Sequence, residues 1–229
     1  MRNARQVLLR GAREAADGED AKALIAAATA LRASVRNLPL AANLDSVRGI
    51  EGDAAKTYFS ALNGVVRRDA REHFGMDGRT RRPPRDRINA LLSFLYSMLM
   101  NDCRSALEAV GLDPQLGFLH AVRPGRAALA LDLMEEFRAV MADRLALTLI
   151  NRGQIGKGDF VEREGGAVLL EGDARRAVVV AYQERKQEEI THPLLDTKMP
   201  IGLLAQTQAR LLARHIRGET EIYLPFLAR

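Results

Sequence analysis

The chain has 229 residues, 47% hydrophobic and only 5% aromatic, and this length suffices for one domain whose composition favours helices over sheets. Its 34 basic and 29 acidic side chains leave a net charge of +5, which suits a polyanionic partner without identifying one. Cys103 is the only cysteine, which excludes an intrachain disulfide and a thiolate metal cluster, and without a run of about 20 apolar residues we expect a cytoplasmic protein that does not bind membranes.

The N-terminal part of the chain has a helical pattern. Apolar side chains recur every three or four residues, which predicts helices over residues 4–15 and 19–36. The segment Leu38-Pro39-Leu40 interrupts this pattern. A third helix is predicted after it, running through Glu51 towards Arg71.

The periodicity fails between His73 and Pro84, where glycines and prolines predict a loop. Five arginines crowd the end of this loop: Arg79, Arg81, Arg82, Arg85 and Arg87. Two interpretations stay open. The segment is either a solvated, mobile loop or a set of contacts to nucleic-acid phosphates.

The rest of the chain predicts a helical bundle with one small β-hairpin. A strongly apolar helix is expected over residues 87–110, followed by a long helix over 127–151. Two short extended runs on either side of a Gly-Gly pair predict a hairpin near 159–171. Two more helices are expected at 173–189 and 200–217.

An acidic cluster lies on the predicted helix over 127–151. Asp132, Glu135 and Glu136 are spaced so that their carboxylates share one face among apolar neighbours. Burying such acids is costly unless a cation compensates the charge, so a divalent metal ion is one interpretation. The other is a pair of surface ion pairs, Asp132 with Arg126 and Glu136 with Arg138.

Two further side chains are ambiguous when considered singly. His120 before a turn can be a hydrogen-bonded packing residue rather than a ligand. Glu51 can be an ordinary carboxylate in a first helical turn, where the helix dipole favours it. The order of the motifs along the chain is more informative than either residue alone.

Five segments form an ordered set along almost the whole chain. They are Arg48-Gly-Ile-Glu-Gly52, Asn89-Ala-Leu-Leu-Ser-Phe-Leu-Tyr96, Gly117-Phe-Leu-His120, Gly125-Arg-Ala-Ala-Leu-Ala-Leu-Asp-Leu-Met-Glu-Glu-Phe137 and Gln208-Ala-Arg-Leu-Leu-Ala-Arg-His-Ile-Arg-Gly218. Together they resemble the motifs of the CRISPR-associated integrase family of the adaptation complex. The resemblance implies an all-α catalytic domain that binds Mn²⁺ or Mg²⁺.

The resemblance also assigns roles to individual residues. It implies that Glu51, His120 and Glu135 bind the metal and that Asp132 is a further acid beside it. Arg48 and Arg123 match positions associated in the family with the DNA phosphates. With the loop arginines, the expected DNA contacts are Arg48, Arg81, Arg82, Arg85, Arg123 and Arg126.

In the resembling enzymes, a 3′-hydroxyl of captured DNA attacks a phosphodiester at the CRISPR repeat, and related nuclease reactions occur. The implied partners are prespacer, repeat and branched DNA, a small ferredoxin-like adaptation protein, and a second copy of the chain. We treat residues 1–229 as one catalytic domain, with leading helices over 1–40 and a core over 41–229, and we expect the family's N-terminal β-rich domain to be absent. The alternatives are a non-catalytic helical DNA-binding remnant and a helical scaffold.

Overall fold

The structure, a computed structural model that describes residues 1–228, consists mainly of α-helices. The helices are α1 Arg2–Glu14, α2 Gly18–Asn37, α3 Leu44–Ala61, α4 Arg68–Phe74, α5 Arg87–Glu108, α6 Ala128–Arg138, α7 Arg144–Asn151, α8 Gly172–Gln187 and α9 Leu204–Ile216. Two antiparallel hairpins accompany them, β1 Phe160–Arg163 with β2 Ala167–Leu170, and β3 Glu189–His192 with β4 Thr197–Pro200. The predicted all-α class is confirmed. Within residues 1–228 each helix is too short or too polar to cross a lipid bilayer.

The chain divides into two compact units. The first contains Met1–Phe94 and Asp143–Ala177, and the second contains Leu95–Ala142 and the chain from Val178 onwards. The expected leading helices and the start of the expected core both lie in the first unit. Our view of the chain as one catalytic domain stays a prediction, and its last residue, Arg229, lies outside the described residues.

The core of the first unit is built by α1, α2 and α3. Leu8, Leu24 and Leu31 are almost completely buried, as their helical spacing predicts. Gly11 allows a close approach, because a Cβ atom there would lie 2.7 Å from Cγ2 of Val65. Val65 lies in the turn that follows α3, the helix that carries Glu51.

The third predicted helix is wrong in its C-terminal part, because α3 ends at Ala61 and a 3₁₀ turn follows over Leu62–Val65. The cause is Asn63, whose amide Nδ2 donates to Met76 O at 2.7 Å while its Oδ1 accepts from Met76 N at 3.0 Å. A side chain that replaces backbone hydrogen bonds in this way competes with the helix. Helix periodicity cannot reveal this contact.

The predicted single helix over 127–151 is also interrupted, since a π-helical turn, Ala139–Asp143, separates α6 from α7. Asp143 at the end of this turn is completely buried and accepts a 2.8 Å hydrogen bond from the Tyr58 hydroxyl. A buried carboxylate requires such a donor. Because Ala139, Val140, Met141 and Ala142 are all buried, hydrophobic periodicity gives no sign of the wider turn.

The predicted hairpin near 159–171 is present, but a second hairpin was missed. We predicted helices over 173–189 and 200–217, whereas α8 ends at Gln187 and Pro200 ends β4 rather than opening a helix. The buried ring of His192 stabilises the turn, because its Nδ1 accepts from Leu194 N and Leu195 N at 3.3 Å each. Four-residue strands are too short to show a clear alternation.

The arginine-rich loop is anchored by Asn89, which is fully buried at the start of α5. Its Oδ1 accepts from Arg79 Nη1 at 2.7 Å and from Thr80 N at 3.1 Å. Its Nδ2 donates to Gly78 O at 2.9 Å and to Asp86 Oδ2 at 2.6 Å. One amide side chain therefore binds both ends of the loop.

Replacing Asn89 with Ala should lower the free energy of unfolding by roughly 2–4 kcal/mol, because several buried polar groups lose their partner at once. Urea denaturation measures this loss. The matched control is Arg81→Ala at an exposed position of the same loop, which should change stability by less than about 0.5 kcal/mol. Equal stabilities of the two variants would contradict the role of Asn89 as the anchor.

Candidate active site

The segment that leads to His120 lies against the first turn of α6. Pro114 O accepts from Leu129 N at 2.8 Å and from Ala130 N at 3.2 Å, which satisfies two amides at the start of the helix. Gly117 approaches so closely that an added Cβ atom would lie 2.7 Å from Ala128 Cβ. The glycine of the Gly-Phe-Leu-His motif is thus required by packing.

The carboxylate of Asp132 on α6 binds this segment through three consecutive backbone amides. Its Oδ2 accepts from Phe118 N at 2.6 Å and from Leu119 N at 3.0 Å, and its Oδ1 accepts from His120 N at 2.9 Å. The alternative in which Asp132 is a surface partner of Arg126 is therefore wrong. Asp132 has a structural role that spacing alone did not predict.

The same carboxylate orients the ring of His120. Asp132 Oδ1 lies 2.7 Å from His120 Nδ1. Because an ionised carboxylate can only accept, Nδ1 carries the hydrogen and Nε2 of the neutral ring keeps its lone pair. Carboxylates orient metal-binding and catalytic histidines in this way, so the geometry favours the ligand interpretation of His120.

The ionised form of Asp132 is favoured by its environment. Burial by itself raises its pKa, but the hydrogen bonds from the His120 ring and from the amides of His120, Phe118 and Leu119 outweigh it. The pKa of Asp132 is consequently held below its ordinary value of 3.8.

Glu135 lies one turn further along α6 and has a different partner. Its Oε1 accepts from Arg138 Nη1 at 2.7 Å. The guanidinium of Arg138 lies 5.6 Å from the centre of the Tyr96 ring and is mostly buried. Arg138 therefore supplies a counter-charge that lets the Glu135 side chain remain only 27% exposed.

Glu136 binds the C-terminal tail. Its Oε1 accepts from the Tyr223 hydroxyl at 2.5 Å, and its Oε2 accepts from Phe226 N at 2.7 Å and from Gln208 Nε2 at 2.9 Å. Burial raises the pKa of Glu136, although these three donors oppose the rise. The expected surface pair of Glu136 with Arg138 is not what the structure shows, because this carboxylate anchors the tail.

Gln208 extends this network to the second hairpin. The Nδ1 atom of His192 accepts two amides, so its Nε2 carries the hydrogen and donates to Gln208 Oε1 at 3.1 Å. The ring of Phe226 lies 5.8 Å from that of His192, centre to centre. Gln208 stood out in the sequence only as part of a motif, and no signal pointed to its distant partners.

In the first unit, Arg48 and Glu51 lie on α3. The helix begins at Leu44, so Glu51 is beyond the first turn and the explanation by the helix dipole at that turn is wrong. Arg48 Nη1 donates to Asp45 Oδ1 at 2.7 Å. The capping residue is Asn43, which accepts from the backbone amide of residue 46 at 2.9 Å.

The assignment of the metal ligands is not decided by these contacts. Among residues 1–228, no group of three or more His, Cys, Asp and Glu side chains is arranged to hold a metal ion. Glu51 lies in the first unit, whereas His120 and Glu135 lie in the second. Their convergence on one ion stays a prediction.

The loop arginines differ in their surroundings. Arg81, Arg82 and Arg85 are all exposed, but Arg85 Nη1 also donates to Gly165 O at 2.7 Å in the turn of the first hairpin. The loop is therefore attached at several points. Whether its arginines contact phosphates stays a prediction.

The remaining two predicted DNA contacts lie in the turn before α6. Arg123 is exposed and Arg126 is partly buried. Their turn is closed by a 3.0 Å hydrogen bond from Arg126 N to Arg123 O, and Gly125 adopts a φ of 72° that favours glycine. These cations therefore follow His120 on the same segment.

Comparison with known proteins identifies the family. Residues 1–184 match the model of the family described as CRISPR associated protein Cas1. The chain belongs to this family. The resemblance carried by the five motifs is thereby confirmed.

Two kinds of relatives support this conclusion. A CRISPR-associated endonuclease Cas1 of Moorella thermoacetica is 58% identical over 229 residues, which are 100% of this chain and 66% of the relative. A CAS1 protein from Thermotoga maritima has a similar structure, with a TM-score of 0.80 and 28% identity over 96% of this chain and 64% of that one. A chain of a Cas6-RT-Cas1–Cas2 complex matches with a TM-score of 0.79 and 25% identity, over 98% of this chain and 24% of that chain. This Cas1 chain thus spans about two thirds of the length of the Moorella relative.

The low pKa of Asp132 makes its contribution to stability depend on pH. Because the folded-state pKa is below the ordinary value of 3.8, this contribution is present above that value and is lost as the pH falls below it. Asp132→Asn should lower the free energy of unfolding by roughly 1–3 kcal/mol near pH 7 and by much less at a pH well below the folded-state pKa of Asp132, since the charged acceptor is then lost in both proteins. Chemical denaturation across this pH range measures the difference.

The control is Asp53→Asn, at an exposed position on α3. It should show little effect at any of these pH values. A destabilisation by Asp132→Asn that did not change with pH would contradict the proposed role of the ionised carboxylate.

Proposed function

We propose that this chain is the catalytic part of a CRISPR-associated, metal-dependent nuclease and integrase that cleaves or joins DNA by phosphodiester hydrolysis or transesterification. The observation that carries the proposal is the hydrogen bond from His120 Nδ1 to Asp132, which leaves Nε2 as a directed ligand in a chain of the Cas1 family. Glu135 lies on the same helix as Asp132. A helical scaffold protein without catalytic activity would not require this orientation of the His120 ring.

The proposed metal ligands are Glu51, His120 and Glu135. Two carboxylates and one imidazole suit Mn²⁺ and are compatible with Mg²⁺, which prefer oxygen-rich sites. Cys103 does not compete, because burial raises the pKa of its thiol and keeps it protonated. The ionisable side chains of this set therefore fit a hard divalent cation.

The chain's own residues would prepare the site for DNA. Asp132 holds the His120 ring in one tautomer and orientation, so it acts as a positioning residue. A bound Mn²⁺ or Mg²⁺ would polarise the phosphate and lower the pKa of the attacking hydroxyl or water. Arg48 and Arg123 would neutralise the charge of the DNA backbone, and no covalent protein nucleophile is required.

Replacing Glu51, His120 or Glu135 with Ala should abolish measurable Mn²⁺ binding and metal-dependent cleavage of branched DNA, because each variant loses a ligand. Isothermal titration calorimetry with Mn²⁺ and a gel assay are the measurements. Glu108→Ala is the control, since Glu108 is an exposed helical carboxylate paired with Arg104. Unchanged Mn²⁺ binding in all three variants would exclude this ligand set, and DNA binding without any metal binding would favour a non-catalytic DNA-binding remnant.

DNA affinity should come from phosphate contacts by the exposed arginines. Each contact removed by Arg81→Ala, Arg82→Ala or Arg123→Ala should reduce the slope of log affinity against log salt by about 0.9 on duplex DNA. Fluorescence anisotropy over a salt series measures this slope. Arg104→Ala is the control, because Arg104 is an exposed arginine already paired with Glu108. Slopes that all equal the wild-type slope would mean that these arginines are merely solvated.

The proposal extends to partners. The Cas6-RT-Cas1–Cas2 complex has a chain with the same fold, which supports a proposed assembly with Cas2. We also propose prespacer and CRISPR-repeat DNA as substrates, a second copy of the chain as a partner, and the cytoplasm as the location. These assignments concern the whole enzyme, of which this chain covers only part.

A further inference from the structure

Three large apolar side chains are exposed on the segment that precedes α6. Leu116, Phe118 and Val122 have relative exposures of 60%, 62% and 59%. Single exposed apolar residues are ordinary on protein surfaces, but a group on one short segment often marks a binding surface. Phe118 is the aromatic member of this group and lies two residues before His120.

The backbone that carries Phe118 is held firmly. Its amide donates to Asp132 Oδ2 at 2.6 Å, and the preceding Gly117 packs against Ala128. The adjacent Leu119 N also donates to Asp132. The Phe118 ring is therefore exposed on a backbone that hydrogen bonds and packing already hold in place in the protein alone.

The charge of this segment indicates what would cover the ring. Residues 114–127 contain no Asp or Glu but include His120, Arg123 and Arg126. Asp113, just before them, uses its Oδ1 to accept from Gln115 N at 2.8 Å. A short segment that carries an exposed aromatic ring and several cations matches the chemistry of single-stranded nucleic acid, in which bases stack and phosphates pair with arginine.

We propose that Phe118 stacks on an unpaired base of the DNA strand bound at the site of His120. The backbone amides of Phe118 and His120 both donate to the carboxylate of Asp132, so a base stacked on the Phe118 ring would belong to a strand that passes the site of His120. The ring has no hydrogen-bonding group, so this contact selects unpaired nucleotides without reading their sequence. This inference rests on the proposed function and names Phe118 as a substrate-positioning residue.

The test compares Phe118→Ala with Phe118→Trp on DNA that carries 2-aminopurine in a single-stranded flap. Stacking quenches 2-aminopurine fluorescence, so wild type and Phe118→Trp should quench it and Phe118→Ala should not. Affinity for the flap should fall by roughly 5- to 150-fold in Phe118→Ala, while affinity for blunt duplex stays the same. Leu40→Ala is the control, since Leu40 is an exposed leucine at 80% exposure outside this segment.

Two results would overturn the stacking role. One is equal flap affinity and quenching in wild type and Phe118→Ala, and the other is a change only in self-association or in Cas2 binding, which would make Phe118 a protein contact. Mn²⁺ binding and DNA cleavage by the wild type are measured in parallel. If both are present while Phe118→Ala behaves as wild type, stacking fails and the proposed function stands. If both are absent, the proposed function fails. Quenching by wild type but not by Phe118→Ala would then still show that Phe118 stacks on a base, and equal quenching would exclude stacking as well.

Discussion

The candidate site depends on one partly buried carboxylate. Asp132 accepts hydrogen bonds from three consecutive amides and from the ring of His120, and this places an irregular segment against a regular helix. Without Asp132, the three amides and His120 Nδ1 would need water as a hydrogen-bond acceptor. The ionised carboxylate in turn needs donors, because it is partly removed from water. The stability of the segment and the orientation of its histidine therefore have the same origin.

Helix α6 uses its three acids for three different purposes. Asp132 binds the segment before the helix, Glu135 pairs with Arg138, and Glu136 binds the tail through Tyr223. Glu135 and Glu136 are neighbours in sequence, but successive residues on a helix point about 100° apart, so they meet different surroundings. Two acids that are neighbours in sequence can therefore bind different parts of the chain.

The sequence predicted helix content, the first hairpin and the ordered motifs well, because these follow from local spacing. It did not predict features that depend on distant partners. The tail residue Tyr223 lies 87 positions from Glu136, and Gln208 lies 72 positions from it. Asn63 ended a helix through a contact with Met76 that no periodicity records. For the candidate site, the motif indicated His120, whereas the way Asp132 holds it became evident only from hydrogen bonds.

The anchoring of the arginine-rich loop by Asn89 has a thermodynamic consequence. Segments that fold when they bind nucleic acid lose conformational entropy at that moment and show a large negative heat-capacity change. Here the chain on either side of Arg81 and Arg82 is held in the folded protein by the four hydrogen bonds of one amide side chain. Association of this loop with DNA would therefore be dominated by the entropy of released counterions, with little contribution from ordering of the chain.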